Sequence, residues 1–221
     1  MKKLFIVANW KSYKSTSEVE KWFETISNSQ LTANKEEKEI IVCAPSIFIP
    51  KVKELSVKLN LPISVGAQDV SPFGEGAYTG AVNVKQIKEF CEYTIIGHSE
   101  RRKEFKEDDE MLAKKVKISL EASLFPIFCV QGADTPIPDG VKIAAYEPVW
   151  AIGSGTPDTP ENAEKVIKEI KEKNKVEYVL YGGSVKGENV NGFTNMPSID
   201  GVLVGGASLD PDSFVQIIKN S

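Results

Sequence analysis

Short apolar runs rich in β-branched residues alternate along the chain with longer stretches in which apolar positions recur at helical spacing. Eight such runs predict eight strands: Leu4 to Ala8, Glu39 to Cys43, Ile63 to Ala67, Tyr93 to Ile96, Phe125 to Val130, Lys142 to Tyr146, Glu177 to Tyr181 and Gly201 to Val204. Most runs are apolar without strict alternation, which is typical of a parallel sheet covered by helices. The pattern predicts an α/β fold in which eight strand–helix units form a closed barrel, as a single domain over residues 1–221.

Capping residues mark where several of the predicted helices begin. Ser15 is followed three residues later by Glu18, which is the spacing of a capping box. Asp108 precedes another helical pattern, and Pro160 and Pro211 stand where a first helical turn tolerates proline. These signals predict helices directly after them.

The connection between the fifth and sixth strands is too short for a helix and its two loops. Residues 131–140 contain two prolines and two glycines. We therefore predict eight strands but only seven full crossover helices. Phe125, Ile127 and Cys129 of the fifth strand are then expected to face outward with no helix over them, covered by neighbouring helices or by another subunit.

Composition and charge exclude several classes of protein. The chain has 27 Lys and Arg against 31 Asp and Glu, a net charge of −4, so it lacks the basic surface of a nucleic-acid or membrane-surface binder. No apolar run approaches the roughly 18 residues of a membrane span, and the first apolar run is too short for a signal peptide. Cys43, Cys91 and Cys129 lack metal-site spacing, and their odd number argues against a disulfide framework. We expect a soluble, cytoplasmic enzyme or binding protein.

Polar and glycine residues follow the C-terminal ends of five predicted strands, and in a barrel these ends converge on the face where catalytic sites lie. They are Asn9 and Lys11 after the first strand, His98 and Glu100 after the fourth, Glu147 after the sixth, Ser184 after the seventh, and Gly205 and Gly206 after the eighth. The glycine-rich turns after the last two strands stand where barrels bind phosphate, because backbone N–H groups there can approach an anion closely.

Five motifs at these strand ends closely resemble those of the triosephosphate isomerases, in the order of that family. They are Asn9-Trp10-Lys11, the segment from Gly97 to Arg102, the segment from Ala145 to Gly155, the segment from Tyr181 to Val185, and the segment from Gly201 to Leu209. Each motif alone is weak evidence, whereas all five together are very specific. The resemblance implies a (β/α)8 TIM barrel that interconverts dihydroxyacetone phosphate and D-glyceraldehyde 3-phosphate through an enediolate, without a cofactor or metal.

The resemblance also implies a role for each polar residue. Glu147 would be the base that removes the proton next to the carbonyl, and a neutral His98 would polarise the substrate oxygen. Lys11 would supply positive charge near that oxygen and the phosphate, Asn9 would hydrogen-bond to the substrate, and Glu100 would support them. The chemistry needs such groups, because a weakly acidic C–H requires a desolvated base and fixed donors for the developing oxyanion.

By the same resemblance, a phosphate site and a lid complete the predicted site. The phosphate would rest on backbone N–H groups of Gly153, Ser184, Gly205 and Gly206, and Tyr181 with Ser184 would hold the closed lid. The lid residues are Pro148, Val149, Trp150, Ala151, Ile152, Gly153, Ser154, Gly155 and Thr156. Closure over the site would keep water from the enediolate, which can otherwise lose its phosphate.

Two positions depart from the family's pattern. The family usually has Cys-x-Gly-Glu after the fifth strand, where this chain has Gln131-Gly132, so the glutamate that contacts the lid tryptophan is missing. The family usually has Thr-Gly-Glu where this chain has Thr79-Gly80-Ala81, so the acid that would pair with Arg101 is absent. We expect these changes to affect stability, lid balance and assembly rather than the chemical step.

The expected partner is a second copy of the chain. The segment from Gly66 to Gly80 resembles the family's third loop, which inserts into a partner subunit, so the resemblance implies a homodimer formed through the loop around Thr79. The missing fifth helix also makes a tetramer possible. No nucleic acid or membrane is expected as a partner.

Two other functions fit parts of the pattern. A Schiff-base aldolase on the same fold would use Lys11 as its nucleophile, but it leaves His98 and the lid unexplained. A non-catalytic phosphate-binding or scaffold protein would fit the missing helix, but it predicts the loss of Glu147, His98 or Lys11, and all three are present. We therefore expect an isomerase.

Overall fold

Eight parallel strands close into a barrel in the computed structural model, which describes residues 2–29, 31, 34, 36–148 and 158–221. In chain order the strands are β1 Leu4–Asn9, β2 Lys38–Ala44, β3 Ile63–Ala67, β4 Tyr93–Ile96, β5 Phe125–Val130, β6 Ile143–Tyr146, β7 Tyr178–Tyr181 and β8 Gly201–Val204. Each strand pairs with the next, and β8 pairs with β1. The predicted barrel is confirmed.

Helices cover the outside of the barrel. They are α1 Thr16–Asn28, α2 Ile49–Lys58, α3 Val84–Lys88, α4 Ser99–Glu104, α5 Asp109–Glu121, α6 Pro160–Asn174, α7 Val190–Thr194 and α8 Pro211–Asn220, with 3₁₀ turns at Ser46–Phe48 and Gly206–Ser208. The predicted capping box begins α1, where the Ser15 hydroxyl accepts from the Glu18 N–H and the Glu18 carboxylate accepts from the Ser15 N–H. Within the described part of the chain, no helix is long and apolar enough to cross a membrane.

The connection between β5 and β6 contains no helix, as the sequence predicts. Every residue from 131 to 142 is described, and the segment forms only turns and bends. It nevertheless contributes to the core, because Val141 is buried and Ala133 and Ile137 pack against buried residues. An irregular segment therefore partly covers the side of the barrel that a fifth helix would cover.

The expected outward orientation of Phe125, Ile127 and Cys129 is wrong, because all three side chains lie on the inner face of the strand; the Phe125 ring contacts Tyr93, which belongs to the interior cluster. Ile127 and Cys129 point into the barrel interior, where they pack with residues of the other strands. Because successive side chains of a strand alternate between its faces, Phe128 and Val130 form the outer face. Both belong to the layer between strands and helices and are 1% and 0% exposed, whereas Phe125 is 50% exposed. The strand does not present a bare apolar face.

Trp10 links the end of β1 to the outer apolar layer. Its side chain is fully buried, and its ring meets the ring of Trp22 in α1 edge-on, with 5.0 Å between centroids. Edge-to-face contacts of this kind stabilise aromatic clusters beyond their buried area. Trp10 therefore acts in packing, and its neighbours Asn9 and Lys11 carry the polar groups.

Truncation of Phe128 tests the assignment of the outer face of β5. We expect Phe128→Ala to lower the free energy of unfolding by about 3–5 kcal/mol, because it opens a cavity in a closed layer. Phe125→Ala is the matched control, and it should cost about 1 kcal/mol or less, since half of its side chain is already in water. Urea unfolding followed by circular dichroism measures both. Equal losses for the two variants would contradict the assignment.

Candidate active site

The C-terminal ends of the strands surround a cleft of about 240 Å³. Its lining includes seven of the residues predicted from the sequence: Asn9, Lys11, His98, Glu147, Ser184, Gly205 and Gly206. Glu100 lines an adjoining cleft of about 790 Å³, to which Asn9, Lys11 and His98 also contribute. The barrel thus brings together residues that lie far apart in the sequence.

Glu147 stands at the end of β6 with its side chain almost completely buried. Its carboxylate accepts a hydrogen bond from the Ser99 N–H through Oε2 at 2.8 Å, and Oε1 lies 3.0 Å from Nε2 of His98. A side chain on Gly182 in the next strand-end turn would come within 3.1 Å of the Glu147 Cγ and would crowd it. Glu147 therefore combines exclusion of water with two fixed partners.

His98 is the residue that precedes α4, and its ring is held from one side. Its Nδ1 accepts a hydrogen bond from the Glu100 N–H at 3.2 Å. A nitrogen that accepts carries no proton, so the proton of the neutral ring lies on Nε2. That N–H points at Oε1 of Glu147 and lines the cleft. The backbone of α4 thus selects the tautomer that offers a donor to the cleft.

Lys11 has a backbone φ of 50°, in the left-handed region that residues other than glycine seldom adopt. Two amide side chains hold this conformation: Oδ1 of Asn9 accepts from the Lys11 N–H at 3.0 Å, and Nε2 of Gln68 donates to the Lys11 carbonyl at 2.9 Å. The Lys11 ammonium pairs with the Glu100 carboxylate. The resemblance did not single out Gln68, although its place directly after β3 is the same signal that marks the other site residues.

The turn after β8 leaves an open stretch of backbone in the cleft. A side chain on Gly205 would come within 3.2 Å of Cε of Lys11, whereas one on Gly206 would meet nothing within 4 Å. The Ser208 hydroxyl donates to the Gly205 carbonyl at 2.7 Å, and the Trp22 indole N–H donates to the Ser208 carbonyl at 3.0 Å. The turn is therefore anchored to α1, and Lys11 lies directly against it.

Eight of the predicted lid residues, 149–156, lie outside the described residues, and so does the phosphate contact predicted at Gly153; only Pro148 is described. Beyond them, the Asp158 N–H donates to the Tyr181 hydroxyl at 2.9 Å. The Tyr181 ring stacks on Phe193, and burial raises the pKa of Tyr181 to about 12, so its hydroxyl stays protonated. The Asp158 carboxylate accepts from the Asn162 amide at 2.7 Å. Residue 158 is thus tied both to β7 and to α6.

Cys129 lies next to the base. Burial, together with the negative charge of Glu147, raises the pKa of the Cys129 thiol well above its ordinary value, and the thiol hydrogen-bonds with the Glu147 carboxylate. The sequence predicted only a small buried hydrophobe here. Its contact with Glu147 depends on a neighbouring strand, so the local sequence gives no signal for it.

Comparisons with known proteins agree with these motifs. The family model described as triosephosphate isomerase matches residues 4–140 and 139–221. Proteins named triosephosphate isomerase from Dictyoglomus turgidum and Fusobacterium nucleatum are each 38% identical to this chain, and one from Thermus thermophilus is 35% identical. The alignments cover 99–100% of this chain and of each relative, over 253 positions. The chain has 221 residues, so the relatives carry segments that it lacks.

The tautomer of His98 can be observed directly, because it is the only histidine of the chain. We expect ¹⁵N spectra of the neutral ring to show a protonated Nε2 and an unprotonated Nδ1. Glu100→Pro removes the N–H that Nδ1 accepts while proline remains compatible with a first helical turn, so the preference should weaken. Glu100→Ala keeps that N–H and should preserve the tautomer. A protonated Nδ1 in the unaltered protein would contradict the assignment.

Proposed function

Because this chain belongs to the triosephosphate isomerase family, we propose that it interconverts dihydroxyacetone phosphate and D-glyceraldehyde 3-phosphate through an enediolate, with no cofactor or metal. The observation that most supports this proposal is the buried Glu147 carboxylate facing the Nε2–H of His98 at 3.0 Å in a cleft that Lys11 also lines. A base, a neutral donor and a cation around one small cavity suit proton transfer next to a carbonyl.

In the proposed reaction Glu147 takes the proton from the carbon next to the carbonyl. The electron pair of that C–H bond forms the C=C bond, and the carbonyl oxygen becomes the enediolate oxygen. The hydroxyl proton of the first carbon passes to the former carbonyl oxygen, and Glu147 returns its proton to the former carbonyl carbon, so that the C=C bond is lost and a carbonyl forms on the first carbon. To reach the substrate, the Glu147 carboxylate gives up its hydrogen bond from the Ser99 N–H and contacts the substrate carbon instead. Burial favours the step, because water does not stabilise the carboxylate there.

Two groups would stabilise the negative charge that develops on the substrate. The Nε2–H of a neutral His98 would donate to the oxygen, and Asn9 would hydrogen-bond to the substrate from the end of β1. Lys11 lies between the reacting end of the cleft and the turn at Gly205, so one ammonium would act on both the oxyanion and the phosphate. Glu100 would support Lys11 through their ion pair.

The phosphate end of the cleft would be built largely from backbone. We propose that N–H groups of Ser184, Gly205, Gly206 and Gly153 bind the phosphate. The support is the placement of Ser184 and the two glycines around the same cleft, with no side chain over Gly206. Backbone donors at glycine turns bind anions closely.

We further propose that residues 148–156 form a lid over the cleft. The support is the anchoring of the segment that follows them, where Asp158 bonds to the Tyr181 hydroxyl and Ser184 stands in the same strand-end turn. A lid of this kind, for which triosephosphate isomerase is itself a standard example, excludes water from a reactive intermediate. With Gln131 in place of the family's glutamate, the open position of Trp150 would be held less firmly.

A homodimer is the proposed assembly. Phe73 and Tyr78 of the loop around Thr79 are 47% and 45% exposed and stack on each other with ring centroids 4.4 Å apart. Such an exposed aromatic pair is typical of an interface. The covered outer face of β5 gives less support to a tetramer. We also propose that the enzyme serves glycolysis and gluconeogenesis in the cytoplasm.

The aldolase alternative receives less support from the geometry. A Schiff base needs a lysine nitrogen free to attack the substrate carbonyl, whereas the Lys11 nitrogen pairs with the Glu100 carboxylate. The same alternative gives no task to the contact between Glu147 and His98.

Activity measurements on site variants test the proposed reaction. We expect isomerase activity on glyceraldehyde 3-phosphate, with kcat lowered at least about 100-fold in Glu147→Asp, which withdraws the carboxylate, and in His98→Gln, which removes the imidazole. Glu121→Asp, an exposed carboxylate at the end of α5, is the matched control and should keep full activity.

Three results would contradict the proposal or redirect it. Permanent attachment of a carbonyl substrate to the protein after borohydride treatment would indicate a Schiff base at Lys11. An inactive protein that still binds a phosphate-bearing enediolate mimic would mean that the site forms but the lid or assembly is at fault. A protein with neither activity nor binding would favour the scaffold alternative.

Light scattering tests the assembly. We expect twice the mass of one chain for the unaltered protein, and the mass of one chain for Phe73→Asp, because a carboxylate cannot be buried unpaired in an apolar contact. Phe125→Asp on β5 should leave the dimer intact. A monomeric unaltered protein would contradict the dimer, and a tetramer that Phe125→Asp reduces to a dimer would support the additional β5 interface.

A further inference from the structure

Four charged side chains form a compact cluster behind the start of α4. The Lys115 ammonium lies 2.6 Å from Oδ1 of Asp69 and 2.5 Å from Oε1 of Glu107. The Arg101 guanidinium lies 2.8 Å from Oδ2 of Asp69 and 2.7 Å from Oε1 of Glu107. Lys115 and Glu107 have side chains only 2% and 3% exposed. Two acids and two bases thus neutralise each other at a site that is largely closed to water; we call these residues the charge cluster.

The charge cluster connects the segments that carry the site. Asp69 follows β3, Arg101 lies in α4, Glu107 lies in the loop after it, and Lys115 lies in α5. Helix α4 has only six residues, too few to be stable without tertiary contacts. Arg101 ties α4 to both acids, and Arg102 ties it to Asp109 at the start of α5.

The start of α4 is also where the site obtains two of its donors. The Ser99 N–H donates to Glu147 and the Glu100 N–H donates to His98 Nδ1, both from the first turn of the helix. The Arg101 N–H in turn donates to the His98 carbonyl at 2.8 Å. A small shift of α4 would therefore move His98 and Ser99 together relative to Glu147.

The acids that pair with Arg101 differ from the one expected from the sequence. The family's Thr-Gly-Glu would supply a glutamate where this chain has Ala81, so the sequence predicts that Arg101 lacks an acid. That prediction is wrong, because Asp69 and Glu107 both place a carboxylate on Arg101, and Asp69 also pairs with Lys115. Ala81 lines the same 790 Å³ cleft as Asp69, Arg101 and Lys115.

We propose that Asp69 replaces the acid missing at Ala81 and that, through Arg101, it positions α4 so that His98 and Ser99 meet Glu147. Asp69 is thus a positioning residue for the isomerase reaction, and this inference rests on the proposed function. It touches none of the reacting groups itself.

Burial of Asp69 opposes its ionisation, whereas two cations favour it. Burial raises the pKa of Asp69 above its ordinary 3.8, although Lys115 and Arg101 lie against it. The fold therefore disfavours the ionised acid, and its ionisation lowers the free energy of unfolding as the pH rises above 3.8. The Asp69 carboxylate nevertheless lies 2.8 Å from the Arg101 guanidinium and 2.6 Å from the Lys115 ammonium, and the contact with Arg101 fixes the direction of that guanidinium.

Asp69→Asn tests this inference, because it keeps the shape of the side chain and removes its charge. We expect kcat to fall about tenfold while KM changes by less than about twofold, since the groups displaced act in proton transfer rather than in phosphate binding. Asp134→Asn is the matched control: Asp134 is 97% exposed and pairs with Lys173 at the surface, so it should leave both constants unchanged.

Rescue separates positioning from a general loss of stability. We expect the double variant Asp69→Asn with Ala81→Glu to return kcat to within about threefold of the unaltered protein, because the new glutamate can face Arg101. All assays are run well below the unfolding midpoint of each variant. If Asp69→Asn does not fold, Arg101→Lys serves instead, since it keeps the charge and loses the two-pronged guanidinium contact.

The ¹⁵N signal of His98 provides a readout that does not depend on turnover. It should shift in Asp69→Asn and stay unchanged in Asp134→Asn. An inactive unaltered protein would overturn the proposed function, while the His98 signal would still test the link from Asp69 to α4. Unaltered kcat and an unshifted His98 signal in Asp69→Asn would overturn the inference, and so would a loss of kcat that Ala81→Glu does not restore.

Discussion

The contact that the site depends on is the one between the buried Glu147 carboxylate and the first turn of α4. A carboxylate removed from water needs fixed partners, and it finds them in the Ser99 N–H and the Nε2 of His98. Both partners come from a strand end two positions away around the barrel. Closure of the barrel brings β4 and β6 close enough for this contact, and Gly182 gives the carboxylate room. The arrangement of the cleft follows from satisfying that one buried charge.

Much of the fold follows from local patterns. All eight strands lie within one residue of the apolar runs that predict them, because a parallel sheet covered on both faces requires such runs. The loss of the fifth helix is equally visible, since ten residues with two prolines leave no room for one. Asn9, Lys11, His98 and Glu147 could be placed at one cleft before any geometry was known, because parallel strands in a barrel end on the same face.

Two kinds of feature could not be predicted: the orientation of a strand that is apolar on both faces, and contacts between residues far apart in the sequence. The orientation of β5 is one of them: Ile127 and Phe128 are both apolar, so no polar residue indicates which side faces the barrel interior. The ion pair between Asp69 and Arg101 is another, since it joins two loops and no spacing in the sequence specifies it. Gln68 directly follows β3, so its position at a strand end marked it as a candidate site residue. Its amide group alone did not indicate a role.

The irregular connection after β5 divides the barrel into two unequal arcs. One arc, β1 to β5, contains Lys11 and His98, and the other, β6 to β8, contains Glu147 and the glycine turns. No helix bridges the seam between them, so within the described residues the two arcs are joined there by the hydrogen-bond ladder between β5 and β6 and by side-chain packing. A polypeptide interrupted within residues 131–140 would therefore keep every helix whole. Its two fragments would carry complementary halves of the chemistry, and only their reassociation, through the β5–β6 and β8–β1 ladders, would bring Glu147 to His98.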